Sequence, residues 1–474
     1  MILNDLADTI VRSVESAQDG VNEMLFEPVI RLGVTGLSRA GKTVFITALV
    51  ANLMDRGRMP GLKAAADGRI LSAYLQPQPD DDIARFDYET HLAALTGREP
   101  NWPHSTRTIS QLRLSLRVQP SGILGSITGP KTVHLDIVDY PGEWLLDLPL
   151  LDQSFAQWSQ QALDLARGPA RATHAEQWLT RHDIVDASAD LDEVVAKELA
   201  ADFTVYLNTC RAAGLSGCAP GRFLMPGDLE GSPALTFCPL AKPDRARSRS
   251  LWRAFERRYE AYKRIVVKPF FRNHFARIDR QVVLVDALGA INAGPQAVED
   301  MRIAMGDILK SFRPGANSWL TSILGKRVER ILFAATKVDH LHHSQHPQLT
   351  AIAEGLLRQA RDHADHRGAK TEAMAIAALR ATVEAEVKHD GRILNCVRGI
   401  LENTGKPAAM YPGTLPDDPA HLLAPAKSGA ETWLDADYSV MRFKPPRMSL
   451  APGDGPPHIR LDKAAEFLIG DRLA

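Results

Sequence analysis

Gly36-Leu37-Ser38-Arg39-Ala40-Gly41-Lys42-Thr43 stands between a compact apolar run, Val29, Ile30, Leu32 and Val34, and a stretch in which Val44, Phe45, Ala48, Leu49 and Leu53 recur at helical spacing as far as Arg56-Gly57. A strand that turns through G-x-x-x-x-G-K-[ST] into a helix is a phosphate-binding loop. Gly36 and Gly41 let the backbone turn tightly, so that the N–H groups from Ser38 through Arg39, Ala40, Gly41, Lys42, Thr43 and Val44 point at phosphate oxygens. Lys42 sets a cation on the β- and γ-phosphates, and the Thr43 hydroxyl is a ligand for Mg²⁺, the expected cofactor. The expectation is a nucleotide site at the edge of a parallel α/β sheet.

Composition bounds the rest. A chain of 474 residues exceeds one ordinary core, so two or three domains are expected, and with 45% hydrophobic content it can bury them. The net charge of −1 gives no global electrostatic reason to expect nucleic acid or an anionic membrane as partner. Cys210, Cys218, Cys238 and Cys396 form no C-x-x-C pair and are too sparse for a disulfide framework, which fits a reducing cytoplasm. No apolar run reaches the ~18 residues of a membrane span, and the N-terminus lacks the pattern of a signal peptide. Leu3, Leu6, Ala7, Ile10, Val11 and Val14 form a helical stripe. Asp5, Asp8 and Glu15 on its polar face favour packing on the protein over an anionic lipid surface.

Downstream of the loop, Leu112, Leu114, Leu116 and Val118 alternate with Gln111, Arg113, Ser115 and Arg117, the pattern of a half-exposed strand. After a Gly/Pro/Ser-rich connection comes Val133-His134-Leu135-Asp136-Ile137-Val138-Asp139, and the two runs read as an antiparallel hairpin. It ends in Asp139-Tyr140-Pro141-Gly142, a D-x-x-G at a strand end. Asp139 stands where a carboxylate would hold Mg²⁺, and Gly142 where a backbone N–H would approach the γ-phosphate. Thr106 and Thr108 precede the first strand of the hairpin, and either could complete the metal shell, with Thr106 preferred.

A D-x-x-G strand preceded by an antiparallel partner belongs to Ras-like GTPases and not to metabolic kinases. A guanine signal should therefore lie further on. Arg330-Ile331-Leu332-Phe333-Ala334-Ala335 runs into Thr336-Lys337-Val338-Asp339, which is similar to the N/T-K-x-D base-recognition motif. Asp339 can accept from guanine N1–H and the exocyclic amine, a donor pair that adenine lacks, while Lys337 can lay its stem over the ring. A last strand, Ala373 to Leu379, would bring Ala378 and Leu379 to the base in place of a Ser-Ala-x turn.

With these residues assembled, the chain resembles the bacterial YcjX-like family of P-loop GTPases. The resemblance is carried by the loop at 36–43, by Asp139-Tyr140-Pro141-Gly142-Glu143-Trp144, by Ala334-Ala335-Thr336-Lys337-Val338-Asp339 and by the family-specific Pro457-His458-Ile459-Arg460-Leu461-Asp462. It implies a cytoplasmic, stress-associated GTPase with a helical insertion and a link to an inner-membrane partner protein, at which it would sit peripherally.

The expected fold is α/β: a Ras-like P-loop NTPase core with a mixed, mostly parallel sheet, a large helical insertion and an irregular β-containing C-terminal appendage. The divisions are an amphipathic helix in 1–27, a first core part in 28–150, the helical insertion in 151–280, a second core part in 281–390 and the appendage in 391–474. Within the insertion, Trp252, Phe255, Tyr259 and Tyr262 lie at helical spacing among many Lys and Arg. A buried aromatic stripe with a solvated basic face explains this better than a nucleic-acid surface does. His340, His342, His343 and His346 crowd the segment after Asp339. A metal site would need the four to converge, and the neighbouring Pro347 in a polar loop points instead to a solvated turn.

Slow hydrolysis of GTP to GDP and phosphate is the expected chemistry, with Lys42, Mg²⁺ and the loop amides neutralising the developing charge. Glu143 follows Gly142 where many GTPases keep a water-orienting Gln, and its negative charge there makes its role ambiguous. Arg39, inside the loop, would either stabilise transition-state charge or point away. The rivals are a nucleotide-gated binding module with incidental turnover and a small-molecule kinase, for which no acceptor-activating constellation is present.

Overall fold

The computed structural model describes residues 27–36, 40–103, 108–121, 129–311, 328–365, 369–433 and 438–474. Ser38 and Arg39, Thr106, and the N-terminal stripe from Leu3 to Val14 lie outside these residues.

The apolar run at the start is β1 (Val29–Gly36), followed after the loop by helix α1 (Lys42–Met54). β1 lies in the middle of one sheet, with β5 (Lys131–Asp139) parallel on one side and β6 (Arg280–Val285) parallel on the other. Beyond β6 come β7 (Arg330–Ala335) and β8 (Lys370–Ala375), both parallel. Beyond β5 comes its antiparallel partner β4 (Ser110–Val118), then an antiparallel edge strand β2 (Ile70–Gln76), with the short β3 (Ala84–Arg85) also on β4. The order is β2-β4-β5-β1-β6-β7-β8. This is the α/β class with a mixed, mostly parallel sheet. Helix α2 (Tyr88–Thr96) and β2 fill the stretch between α1 and the hairpin, where the sequence offered no strong period.

Central strands are buried on both faces, so consecutive apolar residues divide between two layers. Val282, Leu284, Leu332 and Ala334 enter one core with Phe45, Leu49 and Leu53 of α1. Val283, Val285, Ile331, Phe333 and Ala335 enter the other, with the helices α3 (Phe155–Arg167), α4 (Ala172–Ile184), α5 (Glu193–Ala212) and α6 (Leu251–Tyr262). Helices α7 (Ala287–Ala293), α8 (Pro295–Ser311) and α9 (His346–Asp365) complete that second layer. The helical stretch therefore shares its core with the sheet. Trp252, Phe255, Tyr259 and Tyr262 are all buried in it, which makes them packing and not a nucleic-acid surface.

After β8 the chain builds a second, three-stranded antiparallel sheet from β9 (Val383–His389), β10 (Arg392–Ile400) and β11 (Pro407–Met410). Helix α10 (Ala420–Lys427) then packs against α8. Beyond this added sheet, helix α11 (Leu461–Ile469) places Leu461, Ala464, Ala465, Leu468 and Ile469 in the same core as α1.

One expectation is overturned at β4. Its polar side was read as half-exposed, yet Gln111, Arg113 and Ser115 are buried and only Arg117 is exposed. Period-two polarity normally marks a wet face. Here Arg113 and Ser115 are matched across the hairpin instead. Arg113 Nε donates to Asp136 Oδ1 at 2.7 Å and Nη2 to Oδ2 at 2.9 Å, while Ser115 Oγ lies 2.8 Å from His134 Nδ1. A buried bidentate pair is costly to break from one side, because the remaining charge has no solvent. Arg113→Met should lower unfolding free energy by about 3–5 kcal/mol, and Arg113→Met combined with Asp136→Leu should recover most of the loss. Urea denaturation of the three proteins checks this; equal losses in the single and double variants would contradict it.

Candidate nucleotide site

The carboxyl ends of β1, β5, β7 and β8 converge on one cavity of about 590 Å³. Parallel strands place their following loops on one edge, and ligands of such sheets bind there. Among the residues singled out in the sequence, Ala40, Gly41, Lys42, Thr43, Val44, Glu143, Thr336, Lys337, Asp339, Ala378 and Leu379 line this cavity. Gly41 adopts φ 81 as the residue before α1, a left-handed conformation that suits glycine. Gly36 ends β1 where a Cβ would come 2.7 Å from the Leu284 carbonyl oxygen, so the loop leaves the sheet against bare backbone. Lys42 Nζ donates to Gly36 O at 3.4 Å, folding its ammonium back over the loop. Thr43 is 6% exposed at the helix start, and Asp139, 1% exposed, ends β5 directly beside Val34 of β1. A hydroxyl and a carboxylate flanking a phosphate loop are the hard oxygen donors that Mg²⁺ takes, so this pair fits the cation. Thr108 is exposed and does not line the cavity, and Thr106 lies outside the described residues.

At the opposite end, Asp339 is 4% exposed and its Oδ2 accepts from the Ala381 N–H at 2.8 Å. Thr382 Oγ1 donates to the Asp339 carbonyl, so the turn carrying the carboxylate is tied to the loop after β8. Lys337 has φ 62 and pairs its ammonium with Asp286, at the end of β6. Ala378 and Leu379 lie on the cavity wall, and the contact to Asp339 is made by Ala381, two residues after Leu379. A backbone donor carries no side-chain signature, and the sequence could not single it out.

The segment after Asp139-Tyr140-Pro141-Gly142 is a 3₁₀ helix, Gly142–Asp152, and it is held by the helical layer almost residue by residue. Arg211, in the last turn of α5, pairs with Glu143 at 3.3 Å, and the Glu143 side chain is 4% exposed. The Arg222 guanidinium lies 3.3 Å over the Trp144 ring. Asp147 accepts from Gly221 N at 2.7 Å and from Tyr262 Oη at 2.6 Å, and Tyr259 Oη donates to Leu150 O at 3.0 Å. Gly221 is obligatory here, since a Cβ would sit 2.1 Å from Glu143 O. Arg211 and Asn208, one turn apart on α5, reach the cavity wall from a helix far along the chain. Nothing in the sequence around Arg211 marks it, because its partner lies 68 residues earlier.

The C-terminal motif Pro457 to Asp462 acts on the same cavity from behind. Ile459 and Ala377 exchange backbone hydrogen bonds at 2.8 and 3.0 Å, Arg380 N donates to Pro457 O at 2.8 Å, and Arg460 Nη1 donates to Ala375 O at 2.9 Å. His458 Nε2 lies 2.7 Å from Arg58 O, and Asp462 Oδ2 accepts from Gly61 N at 2.7 Å. The motif thus fastens the loop after β8 to the segment following α1.

A phosphate loop and a T-K-x-D turn on one cavity, with a D-x-x-G strand and its antiparallel neighbour next to the loop-bearing strand, define a Ras-like P-loop core; Asp139 and Gly142 themselves do not line the cavity, which the chain reaches at Glu143. The chain belongs to the YcjX-like family, DUF463, whose model matches residues 30–473. It is 38% identical over 460 residues to the Ras-like GTPase YcjX of Escherichia coli strain K12, covering 94% of this chain and 96% of that protein. It is 37% identical over 470 residues to the Ras-like GTPase YcjX of Shewanella oneidensis, covering 94% of each. Among the described residues, no helix is long and apolar enough to cross a membrane.

Full burial pushes the Asp147 carboxyl up to about 7, against the opposing pull of its Tyr262 and Gly221 hydrogen bonds. Between an unfolded value near 4 and about 7 the folded chain holds a proton that the unfolded chain has released. This group therefore makes stability fall as pH rises through that window, with the full penalty present above it. Asp147→Asn keeps an acceptor for Gly221 N and cannot ionise. The melting temperature of the original protein minus that of Asp147→Asn should decrease from pH 5 to pH 8; a flat difference would show that Asp147 is ionised throughout.

Proposed function

We propose that this protein binds GTP with Mg²⁺ and hydrolyses it to GDP and phosphate. The observation that carries the reading is the arrangement of the loop ending in Lys42-Thr43, Glu143 and the Thr336-Lys337-Val338-Asp339 turn on the walls of one cavity. The names of the two relatives point the same way. Asp339, held by Ala381 N–H, presents a buried acceptor to the two donors of a guanine edge, and adenine would leave it unsatisfied. Lys42 swings from Gly36 O onto the β- and γ-phosphates. Thr43 and Asp139 would hold Mg²⁺, which supplies charge neutralisation at the phosphoryl oxygens.

The ambiguity over Glu143 is eased by Arg211. Alone, a carboxylate beside the γ-phosphate would repel it. Paired with a guanidinium, its charge is offset, and Arg211 becomes a cation within reach of the phosphate end of the cavity, from α5 and not from a separate activating protein. Arg39 remains a second candidate for that role.

The 3₁₀ segment also supports a reading in which the nucleotide gates a binding surface. A shift at Gly142 on phosphate loss would move Glu143, Trp144 and Asp147 together, and each is tied to the helical layer. A stress-associated role and an inner-membrane partner are carried only by the family resemblance. Pull-down with GTP-locked and GDP-bound protein tests them: a partner captured equally by both forms would argue against a switch.

Asp339→Asn should weaken GTP by at least about a hundredfold and shift preference toward xanthine nucleotides, since the amide presents a donor to a donor. Competitive binding of GTP, XTP and ATP reads this out, and equal wild-type affinity for ATP and GTP would refute guanine selection.

Arg211→Ala should lower single-turnover hydrolysis by roughly ten- to a thousand-fold with GTP affinity nearly unchanged, since a charge used only in the transition state affects rate and not ground-state binding. Unaltered turnover would remove Arg211 from the chemistry and leave Arg39 as the internal arginine to test.

A further inference from the structure

Of the histidines after Asp339, His340 and His346 are buried, His342 is half-buried and His343 stands on an exposed turn, and the four do not converge. His340 is buried edge-on against Phe443, and burial holds its pKa below the usual range. His346 opens α9 with Nε2 3.3 Å from Leu341 O. His342 and His343, however, turn together onto Glu384 of β9. His343 Nδ1 lies 2.9 Å and His342 Nε2 3.7 Å from the same Glu384 Oε2, and the three ligand atoms all fall within 4.8 Å of one another.

We propose that His342, His343 and Glu384 form a site for a Zn²⁺-type divalent transition ion, which staples the turn behind Asp339 to the first residues of β9. Two imidazoles and one carboxylate are a set that Zn²⁺ accepts, with a fourth position left to water. Bonds of about 2.1 Å in a tetrahedron place ligand atoms about 3.4 Å apart, a spacing that the observed 2.9 and 3.7 Å from the imidazoles to Glu384 Oε2 bracket. Each ligand that must be aimed has a second contact to aim it. His342 Nδ1 is 2.9 Å from Ser344 Oγ and accepts from the Ser344 backbone N–H at 3.4 Å; with Nε2 on the ion, Nδ1 carries the proton and donates to the hydroxyl in place of accepting from that N–H. The other Glu384 oxygen, Oε1, accepts from the His343 backbone N–H at 3.1 Å, leaving Oε2 for the ion.

Placement gives the site a consequence. Asp339 is already tied to 381–382 by the Ala381 N–H and the Thr382 hydroxyl. An ion on 342, 343 and 384 adds another link between the same two segments, just outside the cavity.

The test uses the nucleotide-free full chain, so it stands apart from the GTPase reading. Zn²⁺ titrated against a chelating indicator should bind at one ion per chain with micromolar or tighter Kd, Co²⁺ should give the intense visible absorption of a four-coordinate site, and saturating Zn²⁺ should raise the melting temperature. Glu384→Gln and His342→Ala should each weaken Zn²⁺ at least tenfold and abolish the melting shift. His343→Gln alters a side chain that is 67% exposed, so it serves as the variant whose folding is not in question, and it should do the same. Absence of saturable one-to-one binding, or equal binding by His343→Gln and the original protein, would overturn the proposal.

Discussion

The pairing of β1 between β5 and β6 is the constraint on which the rest depends. Its register sets Val34 opposite Asp139 and Gly36 opposite Leu284, so the phosphate loop leaves the sheet beside the carboxylate that ends β5. Because β7 and β8 continue the same parallel direction, the Thr336-Lys337-Val338-Asp339 turn and the loop after β8 emerge on that edge too. A one-residue slip of β1 would turn Leu32 and Val34 from the α1 core to the other face. Burial on both faces makes such a slip prohibitive, and the cavity inherits its geometry from this register.

Around that fixed edge, the remainder of the chain works as bracing. On one side the helical layer holds the 3₁₀ segment through an ion pair, a cation–π contact, a shared carboxylate and two tyrosine hydroxyls. On the other, the last eighteen residues cross back over the sheet: Ile459 and Arg460 hold the loop after β8, and α11 closes the core over α1. Loops that read a ligand have few apolar contacts of their own. Their order here comes from segments distant in sequence, which explains why a helical layer and a C-terminal motif accompany an ordinary phosphate-loop core.

The buried polar groups show how charge is handled in such a molecule. Arg113 with Asp136, and Arg171 with Asp300, are matched at both ends, and their cost is offset by geometry. Glu143 with Arg211 differs, because the pair borders the cavity, where charge developing on a phosphoryl group in the transition state would compete for the same guanidinium. Lys42 on Gly36 O and Lys337 on Asp286 are likewise cations held by protein groups that a nucleotide could replace. A site of this kind keeps its charges paired until the ligand arrives.

The sequence by itself determined the core strands, the hairpin, the phosphate loop and the T-K-x-D turn, because each is a local pattern: period two, period 3.6, or fixed spacing of glycine, lysine and acid. It also determined the family, through motifs that stand whole in the chain. Tertiary structure alone decided that β4's polar side would be buried, since Arg113 and Asp136 cancel only once the hairpin pairs them. It alone brought Arg211 to Glu143, Ala381 to Asp339 and Glu384 to His342 and His343, and returned α11 to the core. Those contacts join residues far apart in the chain through backbone groups and single side chains, which leave no periodicity or spacing to read; their partners are chosen by packing.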